Sequence, residues 1–443
     1  MDIKLSEHFT YKKLLQFVLP SIIMMVFTSI YGVVDGLFVS NCVGDTAFAA
    51  INIIMPFIMI LGGMGFMIGT GGTALVAKTL GQGKKDKANR IFTMMVIFTI
   101  ALGAVLTLLG VLFVKPISCL LGANDEMIAD CVSYGTVSIL FTVTFMLQNV
   151  FQSFLIAAEK PKLGLFYTVA AGVTNMALDA LFVAVFRWGV VGAAVATGIS
   201  QLVGGVLPLI YFMRKNDSAL RLVTTKIEAK YILRACANGS SELMTNVSSS
   251  VVSVVYNLQL MHYLQADGVA AYGVLMYVQF IFIAIFIGYS VGCAPIVGYH
   301  YGAQNSDELK NILKKSTVLL SLSGAALFGA AVGLAPVFAQ CFFSYNPYLC
   351  DLTTHAFRLF SSAFLLAGLN IFGSAFFTAL NNGFISATIS FLRTLAFQLS
   401  AVLLLPLAIG VDGIWLAITV AEVCCFIVTL AFLLINHKRY GYM

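Results

Sequence analysis

Twelve apolar runs succeed one another along the chain, at about 13–40, 47–77, 91–114, 127–157, 163–186, 190–213, 229–262, 268–301, 312–343, 352–378, 385–408 and 412–435. A helix rising 1.5 Å per residue needs about 20 such residues to cross the hydrocarbon core of a bilayer. The pattern therefore predicts an all-α polytopic membrane protein with twelve transmembrane helices. The polar segments between the runs are short, and none is long enough for a soluble domain. The longest, 214–228, is charged and divides the chain into a lobe at 1–213, a linker, and a second lobe at 229–443.

The two lobes repeat. Gly71 and Gly292 are 221 residues apart, and the same shift carries Gly81 to Gly302, Asp86 to Asp307, Asn149 to Asn370 and Gly192 to Gly413. One constant offset over most of the chain predicts two pseudo-symmetric six-helix bundles. Six crossings per bundle is an even number, so both bundles share one orientation. Their pseudo-twofold axis then lies along the membrane normal, with a cavity expected between them. Gly65 and Gly69, like Gly288 and Gly292, are spaced by four, which lets helix backbones approach closely. Pro20 lies inside the first run and predicts a bend or hinge there.

Composition narrows the class further. Hydrophobic residues make up 60% of the 443 and charged residues only 10%, which excludes an ordinary soluble protein, and no nucleic-acid partner is expected. All but four of the 25 Lys and Arg fall in segments on one side of the predicted membrane; Lys115 and Arg187 lie opposite, and Arg358 and Arg393 fall within runs. That bias predicts both termini in the cytoplasm. The nine cysteines show no CxxC spacing and read as small buried hydrophobes. No G-x-x-x-x-G-K-[ST] or H-E-x-x-H occurs, so neither ATP hydrolysis nor a metalloprotease centre is expected, and no cofactor is required. An enzyme would want paired catalytic groups in an aqueous loop, and the short loops offer none.

The chemistry to explain is the charge inside the runs. An unpaired Asp at membrane depth costs about 2.5–3.5 kcal/mol on insertion scales, so its presence points to use. Asn175 and Asp179 lie one helical turn apart in run five, and Tyr31 and Asp35 one turn apart in run one. Counted from the outer ends of their runs, Asp35, Asp179 and Thr197 of run six all lie roughly 8–10 Å deep. These five side chains therefore share one layer of the first lobe, with no basic residue at that depth. Crowded carboxylates in poorly hydrated surroundings can take up a proton near neutral pH. Carboxylate, amide and hydroxyl oxygens can equally hold a hard cation such as Na⁺.

The second lobe does not copy this layer. The 221-residue shift sends Asp35 to Tyr256 and Asp179 to Ser400. Its membrane-depth charges are instead Glu242, Arg358, Arg393 and Glu422, of which Arg393 and Glu422 are placed to neutralise each other. Met24, Met55, Met64, Phe66, Met276 and Phe280 crowd the helices expected to face the cavity. Thioethers and aromatic faces suit varied, flat, hydrophobic cations.

These features together resemble the multidrug and toxic-compound extrusion (MATE) family, in its bacterial multidrug-export type. The resemblance rests on Leu19-Pro20 with Tyr31-x-x-x-Asp35, Gly71 and Gly81, and Asn175-x-x-x-Asp179. It continues through Val191-Gly-Ala-Ala-x-Ala-Thr197 and Ala294-Pro-Ile-Val-Gly-Tyr-x-Tyr-Gly302. It implies an antiporter of the bacterial cytoplasmic membrane that expels amphipathic organic cations in exchange for Na⁺ or H⁺ by alternating access; a monomer is the plain expectation. It further implies a coupling site at Tyr31, Asp35, Asn175, Asp179 and Thr197, and a helix 1 bend at Pro20 linked to emptying the substrate chamber. A lipid-linked-substrate flippase of the wider superfamily is the alternative; basic rather than acidic residues would be expected in its cavity.

Overall fold

The computed structural model describes residues 3–344 and 346–442, and within them all side chains but those at 37, 40, 41, 45 and 46. Among the described residues every regular element is helical. The first lobe comprises α1 (Tyr11–Cys42), α2 (Asp45–Gly81), α3 (Lys85–Leu120), α4 (Ile128–Leu140 and Thr142–Ala157), α5 (Pro161–Asp179 and Ala180–Val185) and α6 (Gly189–Met213). One long helical stretch, Ala229–Gly302, opens the second lobe. As a single rod its 74 residues would extend about 110 Å, far more than a bilayer. Gln265, at φ 54° and ψ −143°, folds it into α7 (229–264) and α8 (266–302). Then follow α9 (Ser306–Phe343), α10 (Pro347–Phe360, Ser361–Ala363 and Phe364–Ala379), α11 (Gly383–Phe391, Leu392–Phe397 and Gln398–Ile409) and α12 (Val411–Tyr440). These are the twelve spans of a polytopic membrane protein in two six-helix bundles.

The repeat is visible in backbone detail. The turn after α2 places Gly83 in the left-handed region and the turn after α8 places Gln304 there; Glu159 after α4 is matched by Asn381 after α10. The fourth helix of each lobe breaks at the same point. α4 bends by 55° between Leu140 and Thr142, and α10 passes through a 3₁₀ turn at Ser361–Ala363. Neither break has a Pro or Gly. Hydroxyls satisfy the carbonyls instead: Thr142 and Thr107 donate to Ile139, Thr144 to Phe141, Ser361 to Phe357 and Ser362 to Leu359. Such a hydroxyl stabilises a kink that an apolar side chain would leave with unpaired backbone.

The lobes touch through glycine. A Cβ on Gly81 would lie 1.9 Å from the Tyr299 carbonyl oxygen, and one on Gly302 would lie 2.0 Å from that of Lys78. Tyr299 is Lys78 shifted by 221, so this is one contact seen from both sides of the pseudo-twofold axis. Gly71 against Ala235 and Gly239 against Met67 are equally close, and a Cβ on Gly288 would lie 2.5 Å from Ile22 Cα. All of these lie in the half of the bundle nearer the termini. At the other end Gly32 of α1 and Gly273 of α8 have nothing within 4 Å. Inside the lobes, Gly65 and Gly69 of α2 press on Met146 and Val150 of α4.

Two arms cross the contact end. The segment before α1 docks on the second lobe: Glu308 of α9 accepts from Phe9 N (2.9 Å) and bonds His8 Nδ1 (2.6 Å), while Asn311 donates to the Phe9 carbonyl (3.0 Å). The linker before α7 docks on the first lobe, where Asn89 and Thr93 of α3 accept from the backbone N–H groups of Arg221 and Val223 (3.1 and 3.0 Å). Each lobe thus begins with an arm held by the third helix of the other.

Candidate functional site

α1 and α5 run in the same direction, and Gly172 sets how near they come. A Cβ there would lie 2.4 Å from Phe27 Cε1 and 2.8 Å from Tyr31 Cδ1, so only glycine admits both rings. Two turns farther along, the same register brings the carboxyl groups of Asp35 and Asp179 within hydrogen-bond reach of each other. Asp179 is completely buried, and Asn175, one turn below it, is 1% exposed. Asn175 Nδ2 donates to Thr197 Oγ1 of α6 at 3.3 Å. Tyr31 lies beside Gln148 of α4 and Thr28 of its own helix. The five residues singled out from the sequence therefore fall in one place.

Two further side chains belong to the cluster. Gln148 reaches Tyr31 because Gly204 of α6 gives it space; a Cβ at Gly204 would lie 2.7 Å from the Gln148 amide carbon. Tyr134, buried on the other segment of α4, lies close enough to both aspartates to feel their charge. A neutral amide and a phenol in an apolar run read as ordinary helix–helix contacts; the available signal was that both fall in the run flanking the acids. The bend in α4 brings them to one site from either side of the break.

The electrostatics follow from composition. Both Asp179 oxygens, Asp35 Oδ1 and Asn175 Oδ1 are buried without a donor among the described residues. Two carboxyl groups in contact, with no cationic side chain beside them, are compatible only if a proton is shared between them or a cation lies among their oxygens. The cluster therefore supplies uncommitted, oxygen-only acceptors, a donor set that suits a hard cation or a proton. The backbone immediately after Asp179 widens into a π turn at Ala180–Val185, a distortion frequent at functional sites.

The second lobe holds its charges differently. Arg393 Nε and Nη2 both reach Glu422 Oε1 at 2.8 Å, and Asn370 Nδ2 donates to Glu422 Oε2 at 2.7 Å. Glu242, half-buried on α7, lies near enough to Arg393 for their charges to interact. Arg393 also sits in a π turn, Leu392–Phe397. Arg358 is exposed on α10.

The six apolar cavity candidates are not gathered on one wall. Met24 is 1% exposed and turns its sulfur toward Gly164 of α5. Met55 packs in the first-lobe core at the end away from the termini, Met64 in that lobe's other core, and Phe66 and Met276 in the core centred on the second lobe. Phe280 is 61% exposed. Methionine and phenylalanine are too common in apolar helices for type alone to reveal which face a cavity. Pro20, by contrast, borders a cleft of 1140 Å³ shared with Gln16, Leu19, Ile23 and Phe166. Having no N–H, it leaves the Gln16 carbonyl without its helical donor, and the helix has open space to bend into.

Comparison with known proteins gives a consistent picture. A family model described as MatE matches residues 20–181 and 243–402. The multidrug export protein MepA of Staphylococcus haemolyticus (strain JCSC1435) is 25% identical over 422 residues, covering 95% of this chain and 92% of the relative. MepA of Staphylococcus aureus (strain NCTC 8325 / PS 47) is 24% identical over 420 residues, covering 94% and 91%. Among solved structures, one described as the outward-facing conformation of a multidrug resistance MATE family transporter of the MOP superfamily superposes with a TM-score of 0.92 at 20% identity. It covers 98% of each chain.

Proposed function

The chain belongs to the MatE family of multidrug efflux transporters, and from that premise we propose that it is a secondary antiporter expelling amphipathic organic cations in exchange for Na⁺ or H⁺. The observation that carries this reading is the contact between the Asp35 and Asp179 carboxyl groups in a buried cluster with no basic side chain beside it. Such a pair attracts positive charge, and the first cation to bind weakens its pull on a second. Ion and organic cation then compete for the first lobe, which links the exit of one to the entry of the other.

The side chains divide the work. Asp35 and Asp179 carry the charge that is neutralised. Asn175 and Thr197 complete the oxygen set, and Tyr31 with Gln148 ties α1 to α4. Neutralising the pair changes how strongly α1 is held against α5, and the Pro20 bend passes that change along α1. The glycine-closed end of the bundle also carries most of the Lys and Arg, so we place it in the cytoplasm with both termini. In that orientation the glycine contacts close the inner side, and we read the state as outward-facing, the one that releases substrate and admits the ion. One chain contains both lobes, so a monomer in the bacterial cytoplasmic membrane is sufficient. The deep first-lobe charges are acidic, which disfavours a pyrophosphate-linked substrate.

The test is substrate efflux from proteoliposomes with the pH and Na⁺ gradients collapsed separately. Loss of efflux on collapsing one gradient identifies the coupling ion. Efflux at an undiminished rate with both gradients absent refutes antiport.

A further inference from the structure

We propose that the groove between the start of α3 and the interlobe linker binds the phosphate headgroup of an anionic glycerophospholipid. The groove has a volume of 610 Å³, and its lining includes Lys84, Lys85, Lys87, Arg90, Glu228 and Tyr231. Its meaning comes from the internal repeat. Shifted by 221, Lys87 becomes Glu308, Arg90 becomes Asn311 and Met94 becomes Lys315. Those three second-lobe residues hold the arm before α1: Glu308 takes the Phe9 N–H and His8, and Asn311 and Lys315 donate to the Phe9 carbonyl. The second-lobe groove is thus filled by the chain itself, on an internal carboxylate.

The first-lobe groove has the opposite sign and remains open. The linker gives it the Glu228 carboxylate and the Glu228 N–H, the latter on Met94 Sδ at 3.3 Å, and the start of α7 gives it the Tyr231 ring, over which Lys87 Nζ sits at 5.2 Å. That ring contact holds Lys87 in place before any ligand arrives. Four cationic side chains face two carboxylates, Asp86 and Glu228, so the groove keeps a positive excess. Where its counterpart presents an acid to the arm, this site presents cations to an anion from outside.

The order of residues along α3 favours a lipid over a free anion. The cations occupy 84–90, the groove's floor beyond them is Ile91 and Met94, and farther along α3 the side chains of Ile97, Ile100 and Leu108 are exposed. A phosphate at the mouth would have its glycerol and acyl carbons directed along the helix toward the bilayer core. Basic recesses between membrane helices on the cytoplasmic side are suited to such headgroups. This inference rests on the orientation proposed above, which puts the groove at the inner leaflet. A bound lipid would join α3 of one lobe to the segment leading into α7 of the other.

The test is native mass spectrometry of the full chain extracted from vesicles of equal phosphatidylglycerol and phosphatidylcholine. The parent should retain phosphatidylglycerol selectively. Lys87→Gln with Arg90→Gln should reduce that selectivity by about fivefold per charge removed, and Asp86→Asn should increase it. The second variant removes an opposing charge and leaves the cations that orient the chain, so a folding or insertion defect in the first does not decide the result. Retention matching the vesicle composition, selectivity unchanged in both variants, or full displacement by inorganic phosphate would overturn the lipid site. Antibody access to a C-terminal tag in sealed vesicles reads the orientation separately.

Discussion

At the residue scale the account depends on two carboxyl groups held in contact by a glycine. Asp179→Asn should lower the initial efflux rate at least tenfold while leaving the protein folded, as judged by its thermal transition in detergent. Asp35→Asn should do the same. Efflux at the parental rate by either variant would remove the proposed coupling site. The buried charges of the second lobe make a different prediction, about stability. Glu422→Ala leaves the Arg393 guanidinium buried without its carboxylate, and breaking a buried pair in this way costs about 3–5 kcal/mol. Replacing both with apolar residues, Arg393→Met with Glu422→Leu, should recover most of that loss; equal denaturation midpoints for the single variant and the parent would contradict it. The acids were legible in the sequence because charge in an apolar run is conspicuous. Gln148 and Tyr134 were not, since neutral polar groups in a membrane helix usually serve only to join helices.

At the element scale, the glycine contacts decide how the helices pack, and the distortions decide where the charges sit. Asp179 immediately precedes one π turn and Arg393 lies within the other. The twelve runs and the 221-residue offset were enough to read the spans and the two bundles, but not which helices the glycines of α2 and α8 would meet. The 55° break in α4 was not legible, because the chain there, Leu140-Phe141-Thr142, lacks the Pro or Gly that usually announces a kink. Gly198 shows what the break requires: a Cβ there would lie 2.2 Å from the Phe141 ring. Gly81→Ala tests the interlobe contact. Its new methyl group would meet backbone rather than a movable side chain, so the lobes must separate at that end. Double electron–electron resonance between labels on α2 and α8 near their basic ends should show a longer mean distance than in the parent. An unchanged distance distribution would mean that the contact is not what holds that end closed.

At the scale of the whole molecule, the crossed arms and the glycine contacts make one end a clasp, while the proposed ion site lies toward the other end. Glu308→Ala removes the acceptor for the Phe9 N–H and should speed hydrogen exchange across residues 5–10, together with a shift toward the state open at the basic end. Protection unchanged in that segment would show that burial of Leu5 and Phe9, with the bonds from Asn311 and Lys315 to the Phe9 carbonyl and from Leu5 N to Glu159, holds the arm without Glu308. Exchange between an ion and a drug then requires that binding at the carboxyl pair be felt along α1, which runs from the arm past Pro20 to Asp35. The most direct measurement is equilibrium binding of a tetraphenylphosphonium probe to the purified chain, titrated with H⁺ and with Na⁺, in the parent and in Asp179→Asn. One of the two ions should displace the probe from the parent, and that displacement should vanish in the variant. Superimposable displacement curves for parent and variant would contradict the claim that the two cations compete at this pair.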